Sequence, residues 1–373
     1  MNVPGPVTAP LSKGSATVRA VSCRQERRPL RAPFRTALRE ARELEAVRVQ
    51  VAWSDGSTTA GEVSPVAPVT GETAGSVAAA ATGPLADAVR GVALADHEEI
   101  FRRLRRALPG NTTAKCALDL AVHAALAEGM GQALYGKEPG AASFQGAAAY
   151  LGTALRPVRT DITVSLGTPE GMAAEAAAKV AEGFDVLKLK LGGGDTGQEA
   201  ARVTAVARAV GPGVALRLDA NQAWTAKDAL SVLDALERAG VRPELVEQPV
   251  PAHDLAGMAI VARNTSVPVL ADESVHGPAD VVAVAEAGAA ELVNIKLAKC
   301  GGLRAARDVV AVAEACSLGV IVGCMLEPPS TLAAGALLAM TLQGRHAHDL
   351  DAVWWVEGGE DVRLVPPMVV TGL

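Results

Sequence analysis

From about residue 160 onward, short apolar runs alternate with alanine-rich stretches of helical length. The runs are "ITVSLG" (162–167), "VLKLKLGG" (186–193), "VALRLDANQ" (214–222), "ELVEQPV" (244–250), "VPVLADES" (267–274), "LVNIKLAKCGG" (292–302), "GVIVGCMLE" (319–327) and "HDLDAVW" (348–354). Helices are expected between them, among others at 169–183, 225–239 and 303–318, with Thr168-Pro169 and "TAKD" (225–228) as starts. Eight strands with seven intervening helices predict an α/β fold: a (β/α)7β barrel of the TIM type lacking its last outer helix. A doubly wound open sheet is the alternative. Eight regular units and the absence of a G-x-G-x-x-G fingerprint favour the barrel.

Before residue 150 the order is different. Strand-like runs at 16–25 and 45–53 are followed by helix-like stretches, which predicts a separate α+β domain. We therefore expect a loose tail over 1–15, an α+β capping domain over 16–150 and the barrel over 151–352. Residues 353–373 are expected to pack back on the cap. Aromatic residues are only 3% of the chain, so Ala, Val and Leu must fill the core. The net charge of −6 argues against a nucleic-acid partner. Five scattered cysteines, no apolar leader and no run long enough to span a bilayer predict a cytoplasmic protein without a membrane partner.

In a barrel of this kind the active site lies at the C-terminal ends of the strands. Those ends are charged here. Lys188 and Lys190 end the second strand, Asp219 and Asn221 the third, Glu247 the fourth, Asp272 and Glu273 the fifth. Lys296 and Lys299 follow on the sixth, and Asp349 and Asp351 on the eighth. Asp219, Glu247 and Asp272 stand one βα unit apart. Three carboxylates brought together repel without a cation, and all-oxygen ligation suits Mg²⁺. Three independent helix caps or salt bridges are the plainer alternative.

Residues two apart on a strand share a face, so the Lys188 and Lys190 side chains point the same way. Lys190 and Lys296 would face each other across the mouth. A lysine base must lose its proton near neutrality, about 3 units below its free value. A neighbouring ammonium, Lys188, pushes in that direction. This makes Lys190 the base and Lys188 its tuner. A K-x-K pair alone would be read as an exposed strand edge.

"KLK" (188–190), "DANQ" (219–222), "EQP" (247–249), "DES" (272–274) and "NIKLAKCGG" (294–302) together resemble the enolase superfamily, in its muconate lactonizing enzyme subgroup. "DLD" (349–351) is similar to the D-x-D motif of dipeptide epimerases. There a Pro often follows; here the run is "DLDAVWW". The resemblance implies Mg²⁺-dependent 1,1-proton transfer through a metal-stabilised enediolate, with Lys190 and Lys296 as opposed bases and Mn²⁺ as a substitute metal. It also implies a homo-oligomer acting on a dipeptide. Asp349 and Asp351 would take the α-ammonium group, and Asn221 and Glu273 would stand beside the ligands. Arg39 matches a position suited to a side-chain carboxylate, Thr163 one that contacts substrate, and Glu327 a structural hydrogen-bond partner. N-acylamino acid racemase, o-succinylbenzoate synthase and muconate cycloisomerase are the alternatives within the superfamily. A barrel that binds small molecules without catalysis is the alternative outside it.

Overall fold

The structure is a computed structural model that describes residues 14–36, 40–135, 143–356 and 362–371. The N-terminal unit begins with an antiparallel sheet of β1 (Val18–Arg35), β2 (Glu40–Trp53) and β3 (Thr58–Val63). β1 and β2 run well beyond the expected limits of 16–25 and 45–53. The extra length is a charged ribbon, with Arg28 3.2 Å from Glu62 and Arg35 2.8 Å from Glu40. Pro29 and Pro33 mask it in the sequence, because proline cannot donate to a ladder. The register slips between Pro29 and Phe34.

The helix Thr112–Tyr135 lies on this sheet, with Ala117 and Leu120 against Gly61 of β3. Its approach is close enough to require glycine on the sheet. A Cβ at Gly61 would sit 2.1 Å from the Ala117 carbonyl oxygen.

A second strand group follows. β4 (Val158–Arg159) leads into the parallel barrel strands β5 (Ile162–Val164), β6 (Val186–Lys190), β7 (Ala215–Asp219) and β8 (Leu245–Glu247). The ring continues with β9 (Val269–Ala271), β10 (Leu292–Lys296) and β11 (Gly319–Gly323), paired in sequence order. Each of these seven strands is followed by an outer helix, from Pro169–Ala181 after β5 to Pro329–Met340 after β11. Leu187, Leu189 and Leu218 point outward and join Val206, Val232, Val281 and Val309 of those helices in the main core.

The run 348–354 contributes less strand than its apolar pattern suggests. Only His348 and Asp349 enter the ladder, bridging Thr160 on one side and Gly323 on the other. Backbone bonds from Asp161 N–H to the His348 carbonyl and from Cys324 N–H to the Asp349 carbonyl close the ring. The chain then turns into a single helical turn, Ala352–Trp355. The C-terminal hairpin of β12 (Val362–Val365) and β13 (Met368–Thr371) pairs with β4.

The lower interior of the barrel is partly apolar, formed by Leu245, Leu270, Leu292 and Ile321. Beside them lies a charge network that the sequence reading missed. Arg217, 1% exposed, donates to Asp161 Oδ2 at 2.9 Å and to Glu244 Oε2 at 2.7 Å. His346 Nδ1 is 3.0 Å from Glu244 Oε1. Burial works against the Glu244 carboxylate, but the bonds from His346 and Arg217 outweigh it and draw its pKa down to about 2. A carboxylate depressed on folding stabilises the native state above its unfolded value near 4.5, and loses that stabilisation as pH falls through its folded value. Glu244→Gln is therefore expected to be less stable than the parent at pH 6. The gap should narrow between about pH 4.5 and pH 2. Urea unfolding across that range checks it, and a pH-independent gap would refute it.

Candidate active site

The inward faces of β6 to β10 converge at the barrel mouth. Lys190 stands opposite Asp219 in register, and Asp219 opposite Glu247. Asp272 follows β9 directly, and Lys296 ends β10. These groups are desolvated: relative exposure runs from 0% for Asp219 to 6% for Lys296. Buried charges must pair, and these do. Lys190 Nζ donates to Asp219 Oδ2 at 2.5 Å. Lys296 Nζ donates to Asp272 Oδ2 at 2.7 Å and lies 4.0 Å from Glu247. Lys299, on the turn Leu297–Cys300, donates to Asp272 Oδ1 and to the Asp272 carbonyl.

The loops that carry these residues are held by side chains. Asn221 N–H bonds Asp219 Oδ1 at 2.9 Å, and Asn221 Nδ2 reaches Glu273 Oε1 at 3.3 Å. Gln248 is a hub: its Oε1 accepts from Asp272 N–H and Ser274 N–H, while its Nε2 donates to Ser274 Oγ. Asn221, Gln222 and Gln248 all have positive φ, at 44°, 70° and 35°. Such backbone is costly and persists only where the surroundings impose it.

Electrostatically the three carboxylates are unequal. Burial, then Asp219 and Asp272, push Glu247 up to about 8. Burial also opposes ionised Asp272, but Lys296 and Lys299 overcome it and hold the group well below the carboxylate range. Glu273 rises to about 7 through burial and the charge of Asp272. Asp219, Glu247 and Asp272 offer a hard, all-oxygen donor set, the chemistry that suits a divalent cation such as Mg²⁺. Among the described residues, Cys324, Asp349 and Asp351 bring one ligand atom each within 4.8 Å of one another, whereas the oxygens of Asp219, Glu247 and Asp272, with Asp219 and Asp272 drawn toward Lys190, Lys296 and Lys299, do not gather that closely. Burial and then Asp349 and Asp351 hold the Cys324 thiol well above its ordinary range.

Lys188 makes close ion pairs of its own. The sequence reading makes it a like-charge neighbour that lowers Lys190. In the structure its ammonium is 2.5 Å from Asp349 Oδ2 and 3.8 Å from Glu247 Oε2. Burial pulls Lys188 down, but Asp349 and Glu247 outweigh it and hold it well above its usual value. Lys296 is raised in the same way, by Asp272 and Glu247 against burial.

Asp351 is fixed through one oxygen. Its Oδ2 accepts from Thr163 N–H at 2.8 Å and from Trp355 Nε1 at 3.2 Å. Asp349 Oδ1 is buried without a hydrogen-bond partner, as is Glu327 Oε1. A cavity joins these groups to the cap: Phe34, Thr36, Val66, Pro68 and Val69 face Thr163, the lysines and Asp349 across it, with Met325 and Leu326 beside them. The cap residues were missed from sequence because their spacing carries no chemical signal. Arg39 lies outside the described residues. Asn294 was also missed. Its Nδ2 donates to Glu247 Oε1 at 2.9 Å from a fully buried position.

Opposed lysines over a carboxylate triad, under an α+β cap, define a class of enzyme. Matches to known families agree with it: residues 171–373 match the enolase C-terminal domain-like family, and 18–136 the mandelate racemase/muconate lactonizing enzyme N-terminal domain. The chain belongs to the mandelate racemase/muconate lactonizing enzyme family of the enolase superfamily.

Within that family it is similar to the L-Ala-D/L-Glu epimerase of Bacillus subtilis, 38% identical over 324 residues that cover 87% of this chain and 85% of the relative. The substrate-liganded structure of that epimerase superposes with a TM-score of 0.87, covering 95% of this chain and 96% of the other at 33% identity. A dipeptide epimerase from Enterococcus faecalis, complexed with Mg and L-Leu-L-Tyr, gives 0.84 at 30% identity, covering 95% and 97%. An N-succinyl Arg/Lys racemase from Bacillus cereus gives 0.86 at 26%, covering 95% and 93%.

Asn294→Ala leaves buried Glu247 Oε1 without its donor. An unsatisfied buried acceptor costs about 1–3 kcal/mol. The variant is expected to lose that much stability in metal-free denaturant titration, and an unchanged midpoint would contradict the role.

Proposed function

We propose that this isomerase is a dipeptide epimerase that inverts one α-carbon by 1,1-proton transfer. The observation that carries the reading is the pair Asp349 and Asp351, both buried, beside the lysines. Two desolvated carboxylates at one end of the cavity outnumber the one ammonium paired with them, that of Lys188, and so favour a substrate with a cationic group there. They disfavour a second carboxylate, which counts against muconate and succinyl groups. The epimerases named above support the same class.

Lys190 on β6 and Lys296 on β10 lie on different sides of the ring, separated by three strands. A substrate α-carbon between them has one lysine on each face. One removes the proton and the other returns it from the opposite side, which inverts the centre. Asp219, Glu247 and Asp272 would hold a divalent ion, Mg²⁺ or Mn²⁺ in its place, whose charge assists loss of a proton next to a carboxylate. Asp349 and Asp351 orient the α-ammonium end, and Thr163 lines the wall between them and Lys188. Phe34, Val66, Pro68 and Val69 of the N-terminal unit form an apolar wall of the same cavity. No described helix is long and apolar enough to cross a membrane. The same reading makes the protein a cytoplasmic homo-oligomer.

The decisive experiment incubates a dipeptide library with the protein and Mg²⁺ in D₂O and reads deuterium uptake by mass spectrometry. Free dipeptides should exchange, and exchange should stop with excess EDTA. N-acetylation of the best dipeptide is expected to lower kcat/KM at least ~10-fold, equivalent to ~1.4 kcal/mol. Better turnover of N-acetyl or N-succinyl amino acids would instead support the racemase reading, which the Bacillus cereus neighbour motivates.

The bases have their own test. Lys190→Ala and Lys296→Ala are each expected to abolish epimerisation. Each variant should still exchange the α-proton of one epimer, a different one in each case. Full turnover in either would show that the lysine is not a base.

A further inference from the structure

The segment after "DLD" departs from the pattern it resembles, with two tryptophans where a proline often stands. The structure places both against a buried cation. Lys179, on the helix Pro169–Ala181, is 2% exposed. Its Nζ lies 4.3 Å from the Trp354 ring centroid and 4.4 Å from that of Trp355. It also pairs with Glu175 at 3.0 Å and donates to the Thr163 carbonyl.

Trp355 then reaches two walls of the cavity. Its Nε1–H donates to Asp351 Oδ2 at 3.2 Å. Its ring packs edge-on against Phe34 of β1, centroids 5.0 Å apart at 86°. Phe34 lines the cavity, 6.0 Å from Lys190 Nζ. Leu44, Ala46, Leu326, Trp355 and Val356 form a small core of their own, with Phe34 against it. Val356 also makes an antiparallel bridge to Leu30 of β1. The cap ribbon and the Asp351 side chain therefore rest on one indole.

We propose that Lys179 and Trp355 are positioning residues for the ammonium end of the substrate, fixing Asp351 and the Phe34 wall as one unit and thereby setting the preference for a free α-ammonium over an acylated nitrogen. The inference rests on the dipeptide reading above. Two N–H donors, from Thr163 and Trp355, anchor one oxygen of Asp351. A carboxylate so anchored cannot swing, and its second oxygen is held in place for a cation. That oxygen lies 3.9 Å from the Cys324 thiol. Lys179 fixes the anchor from behind, binding the Thr163 carbonyl on one side and clamping the indoles on the other. A cation over two desolvated rings contributes more than one at a surface. Preorganisation of this kind acts on binding of the group it faces, and has no lever on proton transfer at the far side of the cavity.

Trp355→Phe keeps a ring against Phe34 and removes the N–H. For the dipeptide exchanged fastest in the library screen, KM is expected to rise by about 5–10-fold, in line with a weakened charge-assisted bond. The rate of α-proton exchange at saturation should stay within about 2-fold, and kcat/KM for the N-acetyl derivative should move less than about 2-fold. Lys179→Met is expected to shift the same ratio in the same direction, and Lys179→Arg, which also stacks on indole, to restore it. If Trp355→Phe gives no cooperative melt, the Lys179 pair decides alone. Equal losses on both substrates, or an unchanged ratio in Lys179→Met, would overturn the proposal. A parent enzyme that prefers the N-acetyl form would instead bring down the dipeptide reading. A parent that prefers free dipeptides with variants that keep that preference would bring down this inference only.

Discussion

Everything at the barrel mouth depends on the mutual neutralisation of buried charges. Lys188, Lys190, Lys296 and Lys299 share the interior with Asp219, Glu247, Asp272 and Asp349, and every member of that set is nearly or wholly out of water. An unpaired ion in such a place would cost several kcal/mol. The strands must therefore hold register, since a slip of one residue would turn a charge into the helix layer and an apolar side chain into the mouth. The apolar outer face and the ionic inner face specify one arrangement together. The positive-φ turns at Asn221, Gln222 and Gln248 are local strain tolerated because the surrounding hydrogen bonds leave no alternative.

The ionic layer also divides labour by depth. Below it, Arg217 with Asp161 and Glu244 shares the lower interior with leucine and isoleucine side chains. At its level, lysines and carboxylates face one another. Above it, Phe34, Val66, Pro68 and Val69 of the N-terminal unit make an apolar roof. The charged groups are thus carried by the strands, while the apolar groups that face them sit on a separate element, so either layer can vary without rebuilding the other.

Much of this was legible in the chain itself. The parallel strands from β6 to β11 announce themselves because a strand buried on both faces reads as an apolar run. The charged residues at their ends stand out against that background, which is why Lys190, Asp219, Glu247, Asp272 and Lys296 can be picked out by position alone. The second half of β1 could not be seen, because "ERRPLRAPFR" has neither an apolar run nor clean alternation. Its strand character comes from pairing with β2. The run 348–354 misled in the opposite sense: it looks like a strand, yet Asp351 and Trp355 turn it into a helical turn after two ladder residues. Asn294, Gln248 and Trp355 act through partners distant in sequence, and no local pattern marks them.

Lys188 pairs with two separate parts of the barrel at once, Asp349 on the closing segment and Glu247 on β8. A lineage descending from this chain could not simply discard Asp349. Its loss would strand an ammonium in the barrel beside Glu247 alone, and the first casualty would be the charge balance of the carboxylate triad. A change at the closing segment is thereby tied to compensation on β6. Divergence at position 349 should travel historically with divergence at position 188.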